Sequence, residues 1–160
     1  MSRVRLTDPA PEIEALPRTS RIVPVTRVIG VITLGERERT RQAWQDAAPE
    51  IAWRRIVVRT RPGHEVLSSE VGGGMASSID GLPEALGTLL APLAERRLVV
   101  LEGLAAVGYL KTELSILVHG GRAPTDWPRD VRAMRREFQL ITSELRAPLV
   151  HALLARLLAA

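Results

Sequence analysis

The chain has 160 residues, a formal net charge of +4 and no cysteine, which fits one domain and excludes disulfides and thiolate metal ligands. One tyrosine and one phenylalanine offer few aromatic rings on which bases could stack. A net charge of +4 also neutralises few phosphates, and both observations disfavour nucleic-acid binding. No run reaches the roughly 18 apolar residues of a membrane span, and the first residues lack the apolar stretch of a signal peptide. We therefore expect a cytoplasmic protein that does not contact membranes.

Four prolines mark the first 24 residues as a separate region. Each proline lacks a backbone donor and biases the residue before it toward extended geometry. We predict a Pro-rich N-terminal arm over residues 1–24, either disordered or lying along a surface, and a single α/β domain over residues 25–160. The arm also carries four arginines that suit docking on an acidic protein, namely Arg3, Arg5, Arg18 and Arg21.

Five short apolar runs, rich in β-branched residues, predict strands that are buried on both faces. Helical patterns lie between most of them, including leucines spaced along residues 82–93 and an apolar stripe along residues 127–138. The link between the third and fourth strands is short, with room for a single helical turn or a loop. The strands are predicted at residues 28–34, 54–60, 98–103, 114–121 and 139–145.

Strands that alternate with helices are typical of a mainly parallel sheet covered on both faces. We therefore predict a three-layer α/β domain, Rossmann-like or P-loop-like, with a mainly parallel five-stranded sheet. The flavodoxin-like and P-loop-like strand orders both fit this pattern. In such folds ligands bind beyond the carboxyl ends of the strands, where this chain has polar residues and glycines after each predicted strand.

Glu102 and His119 are the predicted catalytic candidates at this edge, because each ends a predicted strand and is followed by glycine. A histidine in this position suits a general base or an oxyanion contact, and it also fits an ordinary hydrogen-bonded edge residue. Glu102 equally fits an ion pair with Arg61 or Arg122. The ligand-binding candidates are Arg37, Arg61, Gly72, Gly73, Gly74, Ser77, Gly120, Gly121 and Arg122.

The stretch GGGMASSID, residues 72–80, is either a phosphate cradle or a mobile surface loop. Consecutive glycine amides can approach an anion closely, and a helix that follows adds partial positive charge. Asp80 at the helix cap would repel phosphate, and the stretch matches neither G-x-x-x-x-G-K-[ST] nor a G-x-G-x-x-G directly after a strand. The sequence has no G-x-S-x-G elbow, and its histidines show no ligand spacing, so neither a serine nucleophile nor a metal site is predicted.

The run LVVLEG, residues 98–103, resembles the strand-plus-glutamate element of Toprim domains and the second acidic strand of P-loop NTPases of the cofactor-biosynthesis type. The resemblance covers these residues alone and implies a carboxylate that holds Mg²⁺ or a water. A Toprim domain also needs D-x-D after a later strand, where this chain has Asp126 and Asp130. A P-loop NTPase needs a lysine after the first strand, where this chain has GERERT. If the chain descends from such an NTPase, it has therefore lost nucleotide-binding residues of that family.

The leading functional hypothesis is a degenerate NTPase-like fold that binds an anionic, nucleotide- or phosphate-type ligand at the carboxyl edge. The sequence does not identify a cofactor, although Mg²⁺ with a nucleotide is compatible with it. It also leaves open whether the protein is an enzyme. The first alternative is a non-enzymatic accessory or regulatory protein that binds a protein partner through residues 1–24 or the helix Arg129–Arg136. The second alternative is nucleic-acid binding through arginine patches, although such arginines also fit a solvated helix face.

Overall fold

The centre of the domain is a sheet of parallel strands that two antiparallel strands extend at one edge. The structure is a computed structural model and describes residues 15–61, 64–69, 74–76, 86–87 and 90–159. The strands are β1 Val28–Thr33, β2 Ala52–Arg61, β3 His64–Ser69, β4 Gly74–Ala76, β5 Val99–Glu102, β6 Leu114–Val118 and β7 Leu140–Thr142. The helices are α1 Arg37–Ala47, α2 Leu104–Tyr109, α3 Arg129–Ala133 and α4 Ala147–Ala159.

The strand order is β4-β3-β2-β5-β1-β6-β7, and the five strands from β2 to β7 in this order are mutually parallel. The predicted three-layer α/β fold with a parallel five-stranded sheet is thereby confirmed. Because β1 lies between β5 and β6, the order differs from the flavodoxin-like one, in which the first strand lies beside the second. Part of the loop predicted after the second strand instead forms β3 and β4, which pair through an antiparallel ladder and leave β4 as the edge strand.

Helices cover both faces of the parallel strands, and we name each face by a helix that it carries. On the α1 face, α1 and α4 pack with alternate strand residues such as Val100, and Trp44 of α1 is fully buried there. On the α2 face, α2, α3 and the side chains of Leu86, Leu90 and Leu93 pack with the intervening strand residues, such as Leu101. Successive side chains of a strand point to opposite faces, so the central strands are apolar on both sides, as predicted.

The apolar stripe predicted along residues 127–138 is buried, but the helix that carries it is shorter than predicted. α3 ends at Ala133, and a 3-10 turn follows over Arg135–Glu137. Arg136 therefore lies beyond the end of α3, and the predicted helix Arg129–Arg136 is interrupted. The four stripe residues nevertheless share the core of the α2 face: Trp127, Val131, Met134 and Phe138.

Residues 15–22 of the predicted arm lie along α2 and the segment before β6. Ile22 forms a parallel bridge with Leu110, and Arg21 makes an ion pair with Glu137 at 2.7 Å. Residues 16–22 are therefore attached to the rest of the chain by backbone hydrogen bonds and an ion pair.

Candidate functional site

The carboxyl ends of β1 and β5 lie at the topological switch point of the sheet. The chain leaves β1 into α1 on one face of the sheet and leaves β5 into α2 on the opposite face. Neighbouring parallel strands whose connections diverge in this way open a crevice at their carboxyl ends. Gly103 makes the turn after β5 with φ +141, and a Cβ there would collide with the carbonyl oxygen of Ile56, so the turn requires glycine.

Glu102 is a buried carboxylate at this switch point, with 6% of its surface exposed. The Thr33 hydroxyl donates a hydrogen bond to Glu102 Oε1 at 2.8 Å, and Arg37 Nε lies 3.8 Å from the same oxygen. Burial of a carboxylate is costly unless hydrogen bonds or opposite charges stabilise it. Glu102 is therefore held in place by groups from β1 and α1.

Strand alternation explains why Thr33, Arg55 and Glu102 share the α1 face. The register aligns Arg55 with Glu102 across β2 and β5, and side chains two positions apart on a strand point the same way. Thr33 and Arg55 are absent from the predicted site residues, because strand order and register, which tertiary structure decides, bring them beside Glu102. The residues two positions before them, and before Glu102, lie in the core of this face: Val31, Trp53 and Val100.

The connection between β1 and α1 is too short to wrap around a phosphate group. It comprises residues 34–36, and Glu36 occupies the N-cap of α1 with φ 52 and ψ 34. A Walker-type cradle needs a longer glycine-rich loop that ends in a lysine, whereas here the Glu36 carboxylate pairs with Arg39 at 3.3 Å. The cation that the structure places beside Glu102 at this edge is the Arg37 side chain.

His119 lies on the α2 face, on the opposite side of the sheet from Glu102. Its Nδ1 accepts a hydrogen bond from the Gly121 N–H at 3.1 Å, and its ring stacks on Trp127 with centroids 6.1 Å apart. Trp127 belongs to the core of the α2 face, which assigns the His119 ring to that face. The two predicted catalytic candidates therefore do not meet in one site.

A glycine turn follows His119 at the end of β6. Gly120 and Gly121 have φ +63 and +82, values that favour glycine, so their presence is explained by the turn itself. Arg122 is exposed, and its carbonyl accepts a hydrogen bond from Trp127 Nε1 at 3.0 Å. This group of predicted ligand-binding residues lies with His119 and not with Glu102.

The remaining predicted ligand-binding residues lie away from Glu102 or outside the described residues. Gly74 begins β4 and pairs with Ser68 of β3; three strand spacings separate β4 from β5, about 14 Å. Arg61 ends β2 six residues beyond Arg55, about 20 Å along an extended strand. Three further residues lie outside the described part of the chain: Gly72, Gly73 and Ser77.

The described residues contain no group of three or more His, Asp or Glu side chains that could hold a metal ion. Within the same part of the chain, no helix has the length and apolar character needed to cross a membrane. No protein-family model matches the sequence, and comparisons with curated proteins and with solved structures likewise give no match.

Proposed function

We propose that this domain binds an anionic ligand of nucleotide or phosphate type at the carboxyl edge of its sheet, on the α1 face. The observation that carries the proposal is the arrangement of Arg37 and Arg55 around the buried Glu102. Two arginines therefore lie beside one carboxylate at this place in the fold. Arginine suits this role because its planar fork matches the oxygens of phosphate and carboxylate groups.

Glu102 acts in this proposal as the residue that positions Arg37. The Arg37 side chain is 34% exposed, so it reaches solvent while its Nε is held toward the Glu102 carboxylate. Arg37 is also the first residue of α1, and a helix N-terminus adds partial positive charge toward the same place. The proposed function is the binding of this anionic ligand in the cytoplasm, and we assign no reaction to the site. The fold would then be NTPase-like without the phosphate loop.

Arg37→Gln should weaken the binding of a phosphate-type ligand about tenfold, because it removes a charge-assisted contact. Arg39→Gln is the matched control, since Arg39 lies on the same turn of α1 with 70% of its side chain exposed. The probes are ATP, GTP and inorganic pyrophosphate, each with and without Mg²⁺, measured by thermal shift and titration calorimetry. Absence of binding by all probes, or equal losses in the two variants, would refute a site at Arg37.

His119→Ala should leave the same affinity within about twofold, because the ring lies on the opposite face of the sheet. The measurement is the calorimetric titration used for Arg37→Gln, on a variant whose folding is checked by circular dichroism. A large loss of affinity in a folded His119→Ala protein would instead place the ligand on the α2 face.

A non-enzymatic accessory or regulatory role is the second candidate, and the short connection between β1 and α1 favours it. A nucleotide-binding fold without a phosphate loop is free to serve as a protein-binding module. Light scattering of mixtures with candidate partners, for the full chain and for a chain without residues 1–24, tests this role. Nucleic-acid binding through arginine patches is tested by gel shifts at low salt, where that mode is strongest.

A further inference from the structure

A cavity lies at the amino edge of the sheet, opposite the carboxyl edge that holds Glu102. It has a volume of about 570 Å³, within the usual range for ligand sites. Its wall is made by the segments that precede β1, β5 and β6. The lining residues lie at positions 23–27, 94, 96–97 and 111–113.

The wall of the cavity contains more basic than acidic side chains, so it carries a net positive charge. Arg27 pairs with Glu113 at 3.2 Å, and Arg96 donates to the carbonyl oxygen of Glu50 at 3.1 Å. Arg97 and Lys111 are exposed, and neither makes an ion pair with another residue that the structure describes. The wall therefore keeps a net positive charge, and Arg97 and Lys111 are its cations whose side chains have no hydrogen-bond or ion-pair partner among the described residues.

Two exposed valines stand beside these cations. Val23 is 70% exposed and Val25 is 64% exposed, the largest values among the big apolar side chains of the described residues. The backbone on both sides is anchored, since Ile22 bridges to Leu110 and the Thr26 hydroxyl donates to the Arg96 carbonyl at 2.6 Å. The fold thus holds both valines at the surface, and exposed apolar groups of this kind mark interaction sites.

We propose that this amino-edge surface docks an extended segment of a partner protein that carries carboxylates and aliphatic side chains. Arg97 and Lys111 would pair with the carboxylates, and the two valines would cover an aliphatic side chain. An adjoining cavity of about 430 Å³ shares Lys111 and Thr112 and continues to Gln139, so the surface is elongated. An elongated, partly apolar surface suits an extended peptide better than a compact anion such as phosphate.

Phage selection of peptides tests the proposal and does not require an identified partner. Random peptides of about 12 residues, long enough to span both cavities when extended, are selected on the immobilised full-length chain. We expect enrichment of peptides rich in Asp or Glu with interspersed Leu, Ile or Val. Fluorescence polarisation of the selected peptides should show about tenfold weaker binding to Arg97→Glu/Lys111→Glu and to Val23→Ser/Val25→Ser.

Matched variants distinguish peptide binding at this surface from non-specific electrostatic or hydrophobic binding. Arg39→Glu/Arg146→Glu makes the same charge change at exposed positions outside both cavities, and Ile141→Ser removes another exposed apolar side chain, 39% exposed. Both variants should bind within about twofold of the parent. The proposal is overturned if no peptides are enriched or if the selected peptides are neither acidic nor aliphatic. It is equally overturned if the control variants lose as much affinity for the peptides as the cavity variants do. A competition with inorganic pyrophosphate gives a further outcome against it, in which pyrophosphate displaces the peptides as effectively from the Val23→Ser/Val25→Ser chain as from the parent. Arg37→Gln should leave peptide binding unchanged, which keeps this test independent of the proposed carboxyl-edge site.

Discussion

Replacing Gly103 with alanine is expected to lower the free energy of unfolding by about 3–5 kcal/mol, a large fraction of the stability of a typical domain. Gly103 has φ +141 and ψ 159, a region that is essentially restricted to glycine. The new Cβ would also collide with the carbonyl oxygen of Ile56 on β2, so backbone would have to move. The measurement is urea unfolding followed by circular dichroism.

Gly35→Ala is the matched control for this prediction. Gly35 has nearly the same φ, +139, but a Cβ at this position meets nothing within 4 Å. Its cost should be that of the backbone conformation alone, about 1–3 kcal/mol. The difference between the two variants then measures the collision with β2. Equal costs would show that Gly103 is needed only for its backbone angle and not for close packing of α2 against the sheet.

Replacing Glu102 with glutamine is expected to lower the free energy of unfolding by about 2 kcal/mol. The change keeps the shape of the side chain but removes the negative charge beside Arg37. Breaking a fully buried ion pair costs about 3–5 kcal/mol, and the partial exposure of Arg37 reduces the expected value through solvent screening. A carboxylate kept for catalysis alone would give no loss, or a gain in stability, on this substitution.

A double-mutant cycle identifies the partner that Glu102 stabilises. Combining Glu102→Gln with Arg37→Gln should reveal a coupling energy of about 1 kcal/mol, because the two groups interact directly. Glu113→Gln is the control, since Glu113 pairs with Arg27 at 3.2 Å while 41% of its side chain is exposed. That variant should cost under about 1 kcal/mol. Independent effects of the two substitutions at Glu102 and Arg37 would contradict the positioning role proposed for Glu102.

β1, β5 and β6 were predictable because they are buried on both faces and almost entirely apolar, whereas β7 is partly exposed, with Ile141 39% exposed. β1 and β5 agree with the predicted strands to within two residues at each end. The helix between β5 and β6 has six residues, consistent with the single helical turn that the short link allowed. These features depend on local composition and spacing, which are present in the sequence itself.

The antiparallel strands β3 and β4 were missed because they lack a continuous apolar run. The dipeptide Pro62–Gly63 is a turn signal between β2 and β3 that could have indicated a hairpin. The sequence predicts Gly74 as part of an anion-binding loop, whereas the structure places it at the start of β4. A glycine run is therefore weak evidence for a ligand loop when a strand lies beside it.

Sequence reasoning located Glu102 and His119 at the carboxyl edge correctly, because a strand end is visible in the local pattern of apolar residues. Tertiary structure decided which of the edge residues are neighbours. β1 lies between β5 and β6, and the strand register turns Glu102 toward Thr33 and Arg37, while His119 stacks on Trp127 across the sheet. Lateral order depends on long-range crossovers, and the face of a side chain reverses with each residue of register. Neither is encoded in the residues of a single strand, so only the folded chain separates a buried Glu–Arg cluster from a histidine turn on the opposite face.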